Sequence, residues 1–440
     1  MATNEIVIVA LGIFLGSYLI MIFERLHRAV AALLGATLMS LLLILMRVET
    51  HDGSETTFTH LITYYISWPT IFLIIGMMII VSIAGRSGVL QFVAIKLVKL
   101  TKGDPLFLFF MFLVLTFIIS FVLDTITTIL VVAPITIEVY KALEYDYVPV
   151  LISEAIAADF SSVGSLVGSI ENMIIGEQTE LTFLDFFFHL QPLAFLLLVS
   201  SFPVFYLLNR KQFRQDNRVG VEGILMIDES SVIENRRMFW TSILTILGVF
   251  IGFILGPLTP LDPAIVAIAG ATFLLTFSGA VPEKTFKEVE WNVIFFLVGL
   301  FILIGGLEIL EVLDKAAEVI KPVLEEDPLI GIAVVLWSSA ILSGVIDNIP
   351  VSATLVAILI KTETGGTYGK FLIFALIAGT NIGGNFSPIG SPANVVAISL
   401  SEREERPIAF FHFMKVGALM SIIHLVIATI YLGLLYLALT

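Results

Sequence analysis

The chain has 440 residues, 58% of them apolar and only 14% charged, with a mean hydropathy of +1.03. A soluble domain of this size carries about a quarter charged residues, so a soluble globular fold is excluded. The absence of cysteine excludes disulfides, thiolate metal sites and a cysteine nucleophile. The formal charge of −14 says nothing about a ligand until the charges are assigned to one side of a membrane or the other.

Apolar runs of the length a bilayer-spanning helix needs recur along the whole chain: Ile6–Phe23, Ala29–Met46, Leu61–Gly85, Pro105–Leu123, Phe186–Asn209, Met238–Leu261, Phe371–Ser401 and Val416–Thr440. The first lacks a basic n-region and a small-residue cleavage site, so it reads as a span rather than a secretory signal. Two spans therefore open the chain, and a third follows Trp68 in "WPTIFLIIGMMI". The mixed stretch "LQFVAIKLVKLTK" comes next, and it suits a helix lying at the interface better than a span. Beyond it lie an apolar run, Asp124, a second apolar run, the Gly- and Ser-rich segment "ADFSSVGSLVGSIEN" and a closing span.

The same series then repeats. "WNVIFFLVGLFI" at Trp291 answers Trp68, Asp327-Pro328-Leu329 answers Asp104-Pro105-Leu106, and Asp347 answers Asp124, all 223 residues on. Gly390 answers Gly168 and Asn394 answers Asn172 at 222, and "GAT" at Gly35 returns at Gly270. The first repeat is residues 1–210 and the second 236–440, joined by a polar cytoplasmic linker over 211–235.

The run–Asp–run element decides the topology. If both arms crossed the membrane, each half would have six crossings and the halves would be parallel. A re-entrant hairpin gives five crossings and an inverted second half. With five and the N-terminus outside, 18 of the 23 basic residues fall on the cytoplasmic side, Arg25, Arg28, Arg86, Lys141 and Arg210 among them. The expected fold is an all-α polytopic membrane protein of two inverted five-span repeats, each with a re-entrant hairpin and an interrupted transmembrane helix. Both termini are then non-cytoplasmic, and the plasma membrane is the expected location.

Inverted repeats with broken helices are how secondary transporters are built. Non-helical backbone is tolerated at membrane depth only where protein or a water-lined cavity covers it. Four segments carry the candidate site. The hairpin tips offer Asp124, Thr125, Thr127 and Thr128, and Asp347, Asn348, Ser352 and Thr354. The broken spans offer Asp159, Ser161, Ser162 and Ser165, and Asn381, Asn385, Ser387, Ser391 and Asn394. An isolated hydroxyl such as Ser200 or Ser421 is expected to bond back to its own helix and do nothing more. Asp124 and Asp347 read either as caps of the second hairpin arms or as ligands, and the two roles are compatible.

Asp159 and Glu171 stand where the second half has Asn381 and Ala393. Carboxylates inside a membrane are costly and functional by default, so both are candidates for proton coupling. A sodium ion would be held by Asp124, Asp159, Asp347 and Asn381. His189, His412 and His424 share no spacing with these carboxylates, so no metal centre is expected there.

At these residues the sequence resembles the ArsB/NhaD group of the ion transporter superfamily, which includes P-protein-like permeases. The resemblance spans nearly the whole chain and rests on "GMMIIVSIAGRSG", "FVLDTITTILVVAPITI" and "IAGTNIGGNFSPIGSPANVV". It implies two five-span repeats with opposed hairpins, an elevator-like motion and a homodimer. The chain departs from that group in the first half: Asp159 replaces an Asn, Ser161-Ser162 a Gly pair, Ser169-Ile170-Glu171 an Asp-Pro-Pro, and Thr125 an Asn.

The four segments contain no Lys or Arg, while Asp124, Asp159, Glu171 and Asp347 stand in or beside them. Oxygen ligands of this kind suit hard cations, so the expectation is a cation/proton antiporter of the Na⁺/H⁺ type and not an enzyme. Protons, sodium or both would be the coupling ions, with no cofactor. Arsenite or another oxyanion efflux is the alternative, then an organic-anion carrier such as one for dicarboxylates. A receptor or scaffold would not need two broken helices. A nucleotide-driven pump is not written here, since no G-x-x-x-x-G-K-[ST] loop is present. The expected partners are a small inorganic ion and the lipid bilayer, with no nucleic acid.

Overall fold

The computed structural model describes residues 4–23, 26–50, 53–179, 181–210, 213, 233, 235–259 and 261–440. Most of the linker expected over 211–235 lies outside the described residues, as does Arg25. The first half contains α1 (Asn4–Ile22), α2 (Arg28–Leu45), α3 (Phe58–Tyr64), α4 (Trp68–Arg86), α5 (Val89–Thr101), α6 (Pro105–Val122), α7 (Thr125–Ala142), α8 (Val148–Ser162), α9 (Ile170–Thr179) and the long α10 (Phe183–Asn209). The second contains α11 (Arg236–Leu255), α12 (Pro263–Phe277), α13 (Pro282–Glu288), α14 (Trp291–Ile309), α15 (Val312–Glu326), α16 (Pro328–Val345), α17 (Asn348–Lys361), α18 (Gly366–Gly383), α19 (Pro392–Arg403) and α20 (Phe410–Leu439).

The repeat begins at helix starts. Asp104 caps α6 by accepting from the amides of Leu106 and Phe107, and Asp327 caps α16 through Leu329 and Ile330. In both, a proline fills the first helical position, where no amide is needed. Each arm then ends in a two-residue extended corner, Leu123-Asp124 or Ile346-Asp347. The second arm starts at once, so α6–α7 and α16–α17 are hairpins. The broken spans are α8–α9 and α18–α19, interrupted between Ser162 and Ile170 and between Gly383 and Pro392.

Packing between the halves is reciprocal. α4 packs on α12, and α14 packs on α2. A Cβ on Gly76 would lie 2.8 Å from the backbone of Ala267, and one on Gly299 would lie 2.6 Å from the backbone of Ala32. Those residues are repeat mates, so the same bare-backbone contact is made twice, in the small-residue manner of membrane helices. Likewise α9 packs on α17 and α19 on α7, so each hairpin lies against the broken span of the other half.

Among the described residues ten helices are long and apolar enough to cross a bilayer, but they are not the ten spans counted in the sequence. Three of the four hairpin arms (α6, α7 and α16) are among them, while α12, α17 and the segments of both broken spans are not. Length alone cannot separate a re-entrant arm from a span. The placement of the tips can, since Asp124 and Asn348 are 6% and 1% exposed and packed inside the molecule. The polarity gradient also runs inward. α1, α2, α11 and α20 present Leu, Ile and Phe outward, whereas Val150–Ser162 and Phe371–Gly383 are buried throughout with their Ser, Thr, Asn and Asp.

Candidate functional site

The broken spans are tied to the hairpins by one hydrogen-bond plan, executed twice. In the first half Ser120 donates to Ala158 O (2.8 Å), Ser165 to Phe121 O (2.6 Å), and Asn172 to the carbonyls of Ser162 (2.7 Å) and Ser165 (2.9 Å). In the second half Ser343 donates to Thr380 O (2.7 Å), Ser387 to Gly344 O (2.7 Å), and Asn394 to Gly384 O (3.1 Å) and Ser387 O (3.4 Å). Each pair is related by 222 or 223 residues. The backbone groups that a break frees must find partners away from water, and these side chains supply them.

Several predicted ligands are therefore fastenings. Ser165 and Ser387 belong to the plan above, and Ser161 donates to Phe117 O at 2.5 Å. Thr354 bonds its own helix at Pro350 O and meets the Tyr18 hydroxyl at 2.7 Å, which faces it toward α1. Thr125 is buried beside the tip. Both hairpin aspartates are caps: Asp124 accepts from Thr127 N (3.0 Å) and Thr127 Oγ1 (2.6 Å), and Asp347 from Ile349 N (2.9 Å). Ser200 bonds its own helix as expected, but Ser421 does not. It donates across to Ile382 O at 2.9 Å, because the last turn before the break leaves that carbonyl free.

The remaining polar residues meet at the centre, between the two breaks. Ser391 donates to Asp159 Oδ1 (2.8 Å), and reciprocally Ser162 donates to Asn381 Oδ1 (2.5 Å). Asn381 in turn donates to Asn172 Oδ1 (2.9 Å). Asn348 of the second hairpin donates to Glu171 Oε1 of the first broken span (2.6 Å). Asp159 lies within electrostatic reach of Glu171 and Asp347, and Glu171 within reach of Asp124 as well. The four carboxylates thus share one region. Around it, buried atoms of six predicted residues have no hydrogen-bond partner: Thr128 Oγ1, Asp159 Oδ2, Asn348 Oδ1, Ser352 Oγ, Asn385 Oδ1 and Asn394 Oδ1. Leaving such atoms unpaired costs about 1–3 kcal/mol each.

Three features escaped the sequence reading. Arg28, at the start of α2, forms an ion pair with Asp347, so a basic side chain does reach the site from outside the four segments. Glu290, at the start of α14, lies within electrostatic reach of Asp124 and lines a cleft of about 660 Å³ that also touches Arg28, Ile126, Asp347 and Pro392. Glu154 is fully buried and accepts from Thr136 at 2.6 Å. The cost of membrane carboxylates was the available signal for Glu154, which stands only five residues before Asp159. Among the described residues no three His, Cys, Asp or Glu side chains group as a metal centre, and His424 instead bonds Ser201 at 3.0 Å.

A solved structure, that of the Alcanivorax borkumensis YdaH transporter with its unusual topology, superposes with a TM-score of 0.56 over 93% of this chain and 98% of that one, at 14% identity, a likeness of fold. An uncharacterized transporter, Rv2684 of Mycobacterium tuberculosis, is 31% identical over 98% of both chains. The P protein of Homo sapiens is 28% identical over 97% of this chain, which spans 59% of that longer protein. The family model described as citrate transporter, CitMHS, matches residues 18–379. With its two hairpins, its two broken spans and these matches, the chain belongs to the CitMHS citrate transporter family of membrane transporters.

Proposed function

We propose that the protein is a proton-coupled secondary transporter of a small inorganic cation, most simply a Na⁺/H⁺ antiporter of ArsB/NhaD type. One observation carries this reading. Asn381 uses its Oδ1 to accept from Ser162 and its amide to donate to Asn172 Oδ1. Its repeat mate Asp159 uses Oδ1 to accept from Ser391, but Oδ2 replaces the amide. The mate of Asn172 is Asn394, and Asp159 Oδ2 and Asn394 Oδ1 are both acceptors without partners. A proton on Asp159 or a bound cation supplies what the missing amide supplied. The two exclude each other, and that exclusion is the basis of exchange.

Asp124, Glu171, Asp347 and Asn348 would complete the oxygen set, a chemistry suited to hard cations. The inverted repeat supports alternating access by an elevator-like motion, and a homodimer in the plasma membrane fits that motion. The distribution of basic residues supports both termini lying outside. A second reading, transport of a carboxylate such as citrate, is favoured by the family and by Arg28 beside the cleft. In that case Asp159 would bind the coupling ion.

The test is a proteoliposome panel of Na⁺, Li⁺, K⁺, citrate and arsenite against a pH gradient. Cation-dependent proton movement that Asp159→Asn abolishes is the expected result. Citrate or arsenite flux without any cation-driven proton movement would overturn it.

A further inference from the structure

The two hairpin aspartates are repeat mates with the same capping bond, yet their second oxygens are partnered differently. Asp124 Oδ2 accepts from the Thr127 hydroxyl, three residues on in its own helix. The mate of Thr127 is Pro350, which has no hydroxyl, and Asp347 Oδ2 is instead paired with Arg28. The pair is partly buried, with the two side chains 28% and 9% exposed. It crosses from α2, which packs against α14 of the other half, to the tip of the second hairpin. Tyr18 of α1 reinforces the join by donating to Pro350 O at 3.1 Å.

The repeat has no counterpart to this join. "LHRAVAALLGAT" (Leu26–Thr37) aligns with "LDPAIVAIAGAT" (Leu261–Thr272) at an offset of 235, so Pro263 stands where Arg28 does, and Phe253 where Tyr18 does. In an inverted repeat, the conformation opposite to this one is approached by exchanging the roles of the halves. On that exchange Asp124 would face Pro263, and no ion pair would form. The charge pair therefore belongs to the conformation described above, in which the 660 Å³ cleft reaches Asp347 from the Arg28 side.

We propose that Arg28 is a tethered cation that neutralises Asp347 while the cleft is open, and that the transported cation must displace it before the second hairpin can leave α2. Arg28 is thus a positioning residue for transport, a role that rests on the cation-carrier reading of Asp347. Guanidinium suits the post, being permanently charged and weakly hydrated. A ligand shifts such an equilibrium only through its different affinity for the two states, and competition with Arg28 supplies that difference.

The chain has no cysteine, so a single Val396→Cys substitution in the wall of the cleft reports opening through its rate of maleimide labelling. In the full-length protein in liposomes without sodium, Arg28→Gln is expected to slow labelling roughly five- to tenfold, the usual scale of coupling between states. Arg28→Lys should stay close to the parent. Sodium should slow labelling of the parent and act at several-fold lower concentration in Arg28→Gln. Identical labelling of the parent and Arg28→Gln would overturn the proposal. Slower labelling in Arg28→Gln, with no cation affecting the parent, would keep the ion pair as a latch and remove the cation-carrier reading. If Arg28→Gln fails to fold, Arg28→Gln/Asp347→Asn leaves no lone buried charge. That double variant should label slowly if the pair holds the cleft open, and at the parent rate if it does not.

Discussion

In the first half the break is flanked by Asp159 and Asn172, and in the second by Asn381 and Asn394. An asparagine amide closes each by bonding two carbonyls, and a serine fastens each to its hairpin. In the second half Asn381 donates its amide to Asn172 Oδ1 across the centre. In the first half a carboxylate takes that position and the equivalent bond is missing. The frame is shared, and the halves differ where Asp159 stands opposite Asn381. On the proposed reading, an asymmetric centre inside a symmetric frame would let Asp159 change its charge while the frame around it holds.

The largest effect should follow from erasing the difference. Asp159→Asn restores the missing amide, so proton-coupled flux should fall by about 100-fold or more, the weight of a proton-transfer group. Thermal stability should hold or rise. A folded variant with parental proton coupling would show that the asymmetry has no role in transport. Second, the frame can be cut in each half. Asn172→Leu removes three hydrogen bonds and Asn394→Leu two longer ones. At about 1 kcal/mol per bond, a melt in detergent should rank Asn172→Leu as the more damaging.

The contact between Gly76 or Gly299 and its partner backbone serves as a control lying outside the breaks. Alanine at either position should cost about 1–3 kcal/mol by overpacking, and by similar amounts in the two halves, since the contact is the same. Unequal costs would mean that the halves differ in packing as well as in chemistry. The smallest effect is expected from Ser391→Ala, which removes the donor to Asp159 Oδ1. About 1–3 kcal/mol of support for the charged form would be lost, seen as a weaker apparent cation affinity with the maximal rate largely kept.

The repeat, the hairpins and the breaks were legible in the sequence because each has a local cause: Asp-Pro at a helix start, a lone Asp between apolar runs, and Gly, Ser and Pro where no continuous span could form. The asymmetry at Asp159 and Glu171 was legible for the same reason, as a misfit between two aligned motifs. Which hydroxyls fasten and which stay open was not. Ser161 and Ser162 are neighbours, yet one bonds Phe117 O and the other Asn381 Oδ1. That choice depends on which helix faces each side of α8. Arg28 was missed because its partner lies 319 residues away, and because positive charge at the start of a span is explained well enough by topology.

The fastening of each break to its hairpin has a mechanical consequence. Ser120 and Ser161 join α6 to α8, Ser165 joins α6 to the interruption beyond it, and Asn172 locks α9 to the end of α8. A hairpin so fastened cannot slide along its broken span without losing all of these bonds together. The two fastened units meet each other through Ser391–Asp159, Ser162–Asn381, Asn381–Asn172 and Asn348–Glu171. Unwound backbone, commonly taken as the supple part of a helix, is here held at each of these bonds.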